Sequence, residues 1–310
     1  MIPAMPQFEV ALTPPDLRPW LAGDGAIPGF VTRSAAEPGP SVLLVSLTHG
    51  NEFAGAIVLD RMLRGGFRPL RGRVTFGFAN LAAFATFDAA HPTHSRFLEE
   101  DLNRVWDPAV LASAGDSAER RRAREMLPAV LAADVVLDLH SMLWPSEPLV
   151  LAGTAPRGRA LAGRMGGPRL IVSDAGHGDG RRLIDHERFG GAGEACALLV
   201  EAGQHWQHET VVMMQQCVEG LLADLGMGAP AAPASPSRCA EVTDVVVAQT
   251  AGFAFVRPWR GGEVVAKART VLALDGEHEI RTPYDDCLLV MPSLRPAPGH
   301  TAVRLARFVT

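Results

Sequence analysis

The sequence has no excess of positive charge: 29 Lys and Arg stand against 34 Asp and Glu, a formal net charge of -5. A nucleic-acid backbone calls for a basic face, so nucleic acid is excluded as a partner. The same balance says little about a small anionic substrate, which a few local arginines can hold. No apolar run approaches the roughly 20 residues of a membrane span. The start, Met1-Ile-Pro-Ala-Met-Pro6, lacks a basic stretch followed by an apolar core, so no signal peptide is read and no membrane partner is expected. Cysteines are few. Cys196, Cys217, Cys239 and Cys287 are scattered without a CxxC and read as reduced thiols of a cytoplasmic protein. There is no Gly-x-Ser-x-Gly elbow, hence no support for a serine hydrolase. The glycine-rich segment 174–193 meets no strand–GxGxxG–helix order, so it reads as an active-site loop and not a nucleotide cradle. The single tyrosine, Tyr284, lies in Arg-Thr-Pro-Tyr-Asp-Asp and reads as a turn residue.

What is present is an α/β rhythm. Hydrophobic residues make up 47% and charged residues 20%, a globular composition. Apolar, β-rich runs at 41–47, 73–79, 134–139, 148–152 and 195–201 alternate with helical stretches at 52–64, 118–132, 156–166 and 208–225. Within the second helix, the run Glu119-Arg-Arg-Arg-Ala-Arg124 reads as a solvated face. Residues 227–238, rich in Pro, Ala, Gly and Ser, form a linker. Beyond it, short strands at 241–248, 253–257, 263–266, 270–274, 286–291 and 302–309 predict a small all-β domain. This part is similar to a flattened barrel of the biotinyl/lipoyl type without a lysine-presenting turn, and reads as a lid or a dimerisation element. The expected division is a catalytic domain over 1–226, the linker, and an all-β, barrel-sandwich-like domain over 239–310.

The chemistry is concentrated where strands end. His49-Gly50-Asn51-Glu52 follows the apolar run 41–47, and a strand end is where an α/β sheet places its reactive groups. A His and a Glu at i and i+3 can share one ion. Imidazole and carboxylate without thiolate suit a catalytic zinc. The tetrapeptide also reads as an ordinary helix start. A second apolar run, 134–139, ends in His140 and Ser141; if the two strands are parallel neighbours, both histidines emerge at one edge of the sheet. Two His and one Glu, with water in the fourth place, make a recurrent hydrolytic site. The run 195–200 ends in Glu201, which can take a proton from the attacking water. In Ser95–Arg104, Asn103 and Arg104 can fork around a carboxylate. The other histidines, His91, His94, His177, His186, His205 and His208, read as solvated or locally bonded.

Taken in order, His49-Gly-Asn-Glu52, Asp101-Leu-Asn-Arg104, Asp138-Leu-His140 and Val200-Glu-Ala-Gly203 resemble the succinylglutamate desuccinylase/aspartoacylase family, a branch of the zinc carboxypeptidase-like hydrolases. The resemblance spans about residues 40–225. It implies a mixed sheet flanked by helices, one zinc per chain on His49, Glu52 and His140, and Glu201 as general base. It further implies that Arg96 polarises the scissile carbonyl, that Asn103 and Arg104 grip the substrate carboxylate, and that Asp101 orients a zinc-binding His. A homodimer is implied at family level. One departure bears on the substrate. A further substrate-binding arginine of aspartoacylase falls at Gly191 here, and neither Arg181, Arg182 nor Arg188 matches it by offset. The expectation is a zinc-dependent amidohydrolase acting on a small N-acyl amino acid or related carboxylate. The alternatives are a zinc carboxypeptidase or esterase on the same scaffold, or a silent metal-binding protein.

Overall fold

In a computed structural model of the chain, residues 7–25, 27–176, 178–191, 193–230 and 235–309 are described. The N-terminal reading on residues 1–6, His177, and positions 231–234 of the linker lie outside them. The first part runs β1 (Phe30–Ser34), β2 (Ser41–Ser46), α1 (Ala54–Arg64), β3 (Arg73–Phe78), α2 (Leu81–Phe84), α3 (Pro108–Ala112), α4 (Ala118–Ala132), β4 (Val135–Met142), β5 (Leu149–Leu151), α5 (Pro156–Met165), β6 (Leu170–Ser173), α6 (Glu187–Gly190), β7 (Cys196–Gln204) and α7 (His208–Asp224). Then follow β8 (Arg238–Val247), β9 (Ala254–Phe255), β10 (Val264–Val265), β11 (Val271–Asp275), β12 (His278–Arg281), β13 (Cys287–Val290) and β14 (Thr301–Val309). The expected α/β class holds. Three strands escape sequence reading: β1, β6 and β12 are short and carry no sustained apolar run.

Eleven strands form one mixed sheet in the order β1-β3-β2-β4-β7-β5-β6-β8-β14-β13-β10. Its centre, β3-β2-β4-β7, is parallel. Parallel strands are covered on both faces, which is why β2 and the start of β4 read as largely apolar runs. One face packs Val42, Leu44, Leu137, Leu139, Leu198 and Val200 against α1, α5 and α7. On the other, Leu43, Val45, Val136 and Leu199 meet Ala123, Met126 and Val130 of α4, with Phe189 of α6 and Leu102, Trp106 and Leu183 from the connecting segments. Alternation along the strands puts Asp138 and His140 on this second face, with Val136.

The C-terminal strands continue the same sheet, because β8 pairs in parallel with β6. A smaller core of Trp259, Val265, Leu272, Cys287, Leu289, Val303 and Leu305 lies among them. A separate three-stranded sheet, β12-β11-β9, completes the region. Cys196, Cys217 and Cys287 are buried free thiols, and Cys239 is half-buried. Among the described residues, no helix is long and apolar enough to cross a membrane.

Candidate metal centre

Three strand ends build the site. The chain leaves β2 through Leu47, fully buried and in the left-handed region at φ 59°. That conformation is uncommon for a non-glycine residue and turns the backbone sharply. The turn delivers His49 and Glu52 before α1 begins at Ala54. Gly50 is required by what crosses it. A Cβ there would lie 2.4 Å from the Ser95 carbonyl oxygen and 2.5 Å from the Phe84 nitrogen. The Gly50 N–H donates to the Arg96 carbonyl at 3.0 Å, so the same close approach brings Arg96 to the site. On β4 and β7, His140 and Glu201 are direct partners in the parallel ladder.

The geometry converges on one carboxylate. Glu52 Oε1 lies 2.8 Å from His49 Nδ1, and Oε2 lies 3.2 Å from His140 Nδ1. Oε2 also accepts the Ser141 N–H at 2.9 Å. Each imidazole has a carboxylate behind it: Asp101 Oδ1 at 2.9 Å from His49 Nε2, and Asp138 Oδ2 at 2.9 Å from His140 Nε2. Asp138 is itself held by the Thr48 hydroxyl at 2.8 Å. Both Nδ1 atoms face Glu52, and a metal ion bound there would need them as lone pairs, with the ring protons on the Nε2 side near the aspartates. One ligand atom from each of His49, Glu52 and His140 falls within 4.8 Å of the others, and all three side chains are buried. The donor set therefore fits a zinc ion with an open position.

Charges in the site are strongly biased by burial and by one another. Burial alone would raise the Glu52 carboxyl, but His49, with hydrogen bonds to His140 and to His49 itself, overcomes it and holds it well below the usual carboxylate range. Burial would lower His140, yet Asp138 and Glu52 hold it well above the ordinary histidine value. Glu201 goes the other way. Burial, with the Glu52 charge adding to it, pushes its carboxyl up to about 8. Its Oε2 is buried without a hydrogen-bond partner among the described residues. A bound dication would draw that value down and supply the missing partner.

The arginines divide. Arg96 reaches into the centre: its Nη2 donates to Asp101 Oδ2 at 3.0 Å, its Nη1 to Glu52 Oε1 at 3.2 Å. Arg104 lies beside it, 3.9 Å from Asp101 and 3.5 Å from Asp179. Asn103 is partly committed, since its Oδ1 accepts the Leu183 N–H at 2.9 Å, which leaves Nδ2 for a ligand. The three arginines near the glycine-rich loop are engaged elsewhere. Arg188 donates to the Ala133 carbonyl. Arg182 is buried between Asp174 and Asp185. Arg181 pairs with Asp107 at 3.0 Å. Tyr284 bonds Thr243 within the C-terminal strands and lies under Arg307.

Sequence reading missed Asp138, Thr48 and His205. Asp138 carried a signal, since it sits at i-2 from His140 and so on the same face of β4. His205 carried none. It is buried, bonds the Ser141 hydroxyl at 2.8 Å, and is pushed down to about 4 by burial, which makes it a neutral imidazole at the edge of the site. The solvated face expected over 119–124 is also corrected. Glu119 is buried, Arg122 donates to the Ala79, Pro28 and Phe78 carbonyls, and Arg124 to those of Leu111, Ser113 and Gly115. These side chains satisfy main-chain carbonyls in loops and at the ends of β3 and α3.

Residues 38–147 match the succinylglutamate desuccinylase/aspartoacylase catalytic domain. That stretch contains His49, Glu52, Arg96, Asp101, Asn103, Arg104 and His140 and stops before Glu201. A probable aspartoacylase of Parasynechococcus marenigrum (strain WH8102) is 32% identical over 132 residues, 41% of this chain and 42% of that protein. A succinylglutamate desuccinylase of Ectopseudomonas mendocina (strain ymp) is 32% identical over 118 residues, 37% of this chain and 33% of that protein. The matches thus span less than half the length of these relatives. The crystal structure of succinylglutamate desuccinylase from Vibrio cholerae superposes with a TM-score of 0.69 at 18% identity, over 87% of this chain and 82% of that one. The fold is shared along nearly the whole chain, and over residues 38–147 its sequence is similar to the catalytic domain of the succinylglutamate desuccinylase/aspartoacylase family.

Proposed function

We propose that this chain is a zinc-dependent amidohydrolase that removes the acyl group from a small N-acyl amino acid or a related carboxylate. The observation that carries the reading is the convergence of His49 Nδ1 and His140 Nδ1 on Glu52, with Glu201 paired in register beside His140. A zinc ion on these ligands would supply Lewis acidity and a water whose pKa falls toward about 7. Glu201, whose Oε2 is buried without a hydrogen-bond partner among the described residues, would take the proton of the attacking water. The Arg96 guanidinium offers N–H groups to the oxyanion that develops on the carbonyl. Asn103 and Arg104 hold the free carboxylate, which aligns the amide for attack. Glu201 then passes its proton to the departing amine. The small acyl donors in the relatives' names agree with this substrate class.

The test is metal content and amine release on one preparation. Wild-type protein should hold about one zinc per chain, the stoichiometry of a two-His, one-carboxylate site. His49→Ala and His140→Ala should lose zinc and turnover together; full zinc occupancy in both would refute the ligand set. The two arginines should fail differently on N-acyl amino acids and their carboxamide analogues. Arg104→Ala should raise KM for the acid and matter little for the amide, whose partner charge is already missing. Arg96→Ala should depress kcat for both, because its partner forms only in the transition state. Equal losses on acid and amide for Arg104→Ala would mean that the carboxylate is held elsewhere.

A further inference from the structure

Arg96 and Asp101 are five positions apart, joined by a segment without regular structure, 97–101. Little apolar packing fixes it, since Phe97 is 37% exposed and Leu98 44%. Its backbone is held by one side chain. Glu119, in the first turn of α4 and 1% exposed, accepts the Leu98 N–H on Oε1 at 2.7 Å. Its Oε2 accepts the N–H groups of Glu99 and Glu100 at 3.1 and 3.2 Å. A fourth donor, Asn80 Nδ2, reaches Oε1 at 3.1 Å, and the Asn80 carbonyl end is fixed by the Ala83 N–H. The same turn of α4 holds the Glu100 side chain through the Ser117 hydroxyl and, at 2.8 Å, Arg120 Nε. Three consecutive amides on one buried carboxylate form an anion nest turned inside out, with the protein supplying the anion. A charged acceptor makes each of these bonds stronger than a neutral one.

We propose that Glu119 is a positioning residue for the site: it fixes the 98–100 backbone so that Arg96 and Asp101 emerge on either side of it, one toward the reacting carbonyl and both against His49. This rests on the proposed function for the role of Arg96, but not for the role of Asp101, which holds His49 Nε2 whatever the substrate is.

The test is Glu119→Gln in the full chain. Glutamine keeps the shape but replaces one acceptor by a donor that faces backbone N–H groups. Three readouts are compared with wild type. Amide exchange at Leu98, Glu99 and Glu100 should accelerate at least about ten-fold. Zinc affinity, by competition with a chelator, should fall roughly three- to ten-fold, the low end for groups that orient a ligand through another. Turnover of the zinc-loaded protein should fall about ten-fold with KM within about two-fold, as expected when a transition-state donor is misplaced. Glu119→Gln combined with Arg96→Ala should be no slower than Arg96→Ala alone. Glu119→Asp keeps the charge, so it should recover part of the loss, and it serves if the glutamine variant does not fold. Faster exchange with unchanged zinc affinity and unchanged turnover would overturn the proposal, as would a full additional loss in the double variant. If wild type releases no amine from any N-acyl amino acid, the proposed function fails on its own. Zinc affinity then decides the matter, and a wild-type value in an opened loop refutes the positioning role.

Discussion

At the scale of single residues, the centre is a set of buried charges, and at Glu201 their compensation is incomplete. Its carboxyl, pushed up to about 8, stays protonated in the metal-free fold where an unfolded chain would ionise it. The sign follows from linkage. A raised carboxyl pKa gives stability that is whole below the unfolded value, near 4.5, and drains away as pH rises through the folded value. Metal-free Glu201→Gln should therefore match wild type below about pH 4 and become progressively more stable than it up to about pH 8. The plateau would be of the order of a few kcal/mol. Thermal melts of the two apo proteins across that range check this; a constant difference would mean that Glu201 is not desolvated. Zinc should narrow the gap, because the ionised form gains a partner. The same Glu201→Gln variant, loaded with zinc, should lose roughly two to four decades of turnover. The sequence made the carboxylate and both histidines legible because each ends an apolar run. It could not make His205 legible, since its neighbour Ser141 is 64 residues away in the chain and the contact exists only in three dimensions.

At the scale of elements, the site depends on backbones that pass very near each other. Gly50 touches the Ser95 carbonyl and the Phe84 amide, both of them main-chain atoms that cannot swing aside. Gly50→Ala should therefore push the 94–96 turn outward and Arg96 with it. We expect a loss of about 1–3 kcal/mol in stability and a fall in kcat larger than any change in KM. An alanine variant with wild-type melting and turnover would show that the turn yields freely. Gly203 is a second such point. At φ 138° and with a hypothetical Cβ 2.8 Å from Thr210 Oγ1, it lets the end of β7 pass close to the first turn of α7. Helices α4, α5 and α7 lie within a residue of where periodicity puts them, because their apolar stripes are long. The charge run of α4 misled for a definite reason. Periodicity says which face is apolar, but not that a polar face lies under loops whose carbonyls need donors.

At the scale of the molecule, the C-terminal strands extend the sheet through β6 and β8, and Arg304 of β14 lies 3.0 Å from Asp174, the same carboxylate that holds Arg182. Linker composition pointed to a boundary at 227–238, but no composition reveals that the next strand adds to the sheet just left. A chain ended after Pro230 would expose the β6 edge and strand Asp174 without Arg304. It should be insoluble or melt without cooperativity, tested by expressing 1–230 and scanning it by calorimetry. A monomeric fragment with a sharp transition would show that the two parts are independent. The ladder between β4 and β7 has its own bearing on how such a protein can change. His140 and Glu201 face each other across a single interstrand gap, about 4.8 Å. That gap is a repeat distance of the sheet and owes nothing to the loops that wall the pocket. Loops can therefore lengthen, shorten or trade an arginine for a glycine without altering the spacing of the proposed ligand and the proposed base. New substrates can be tried on a bench whose tools never move.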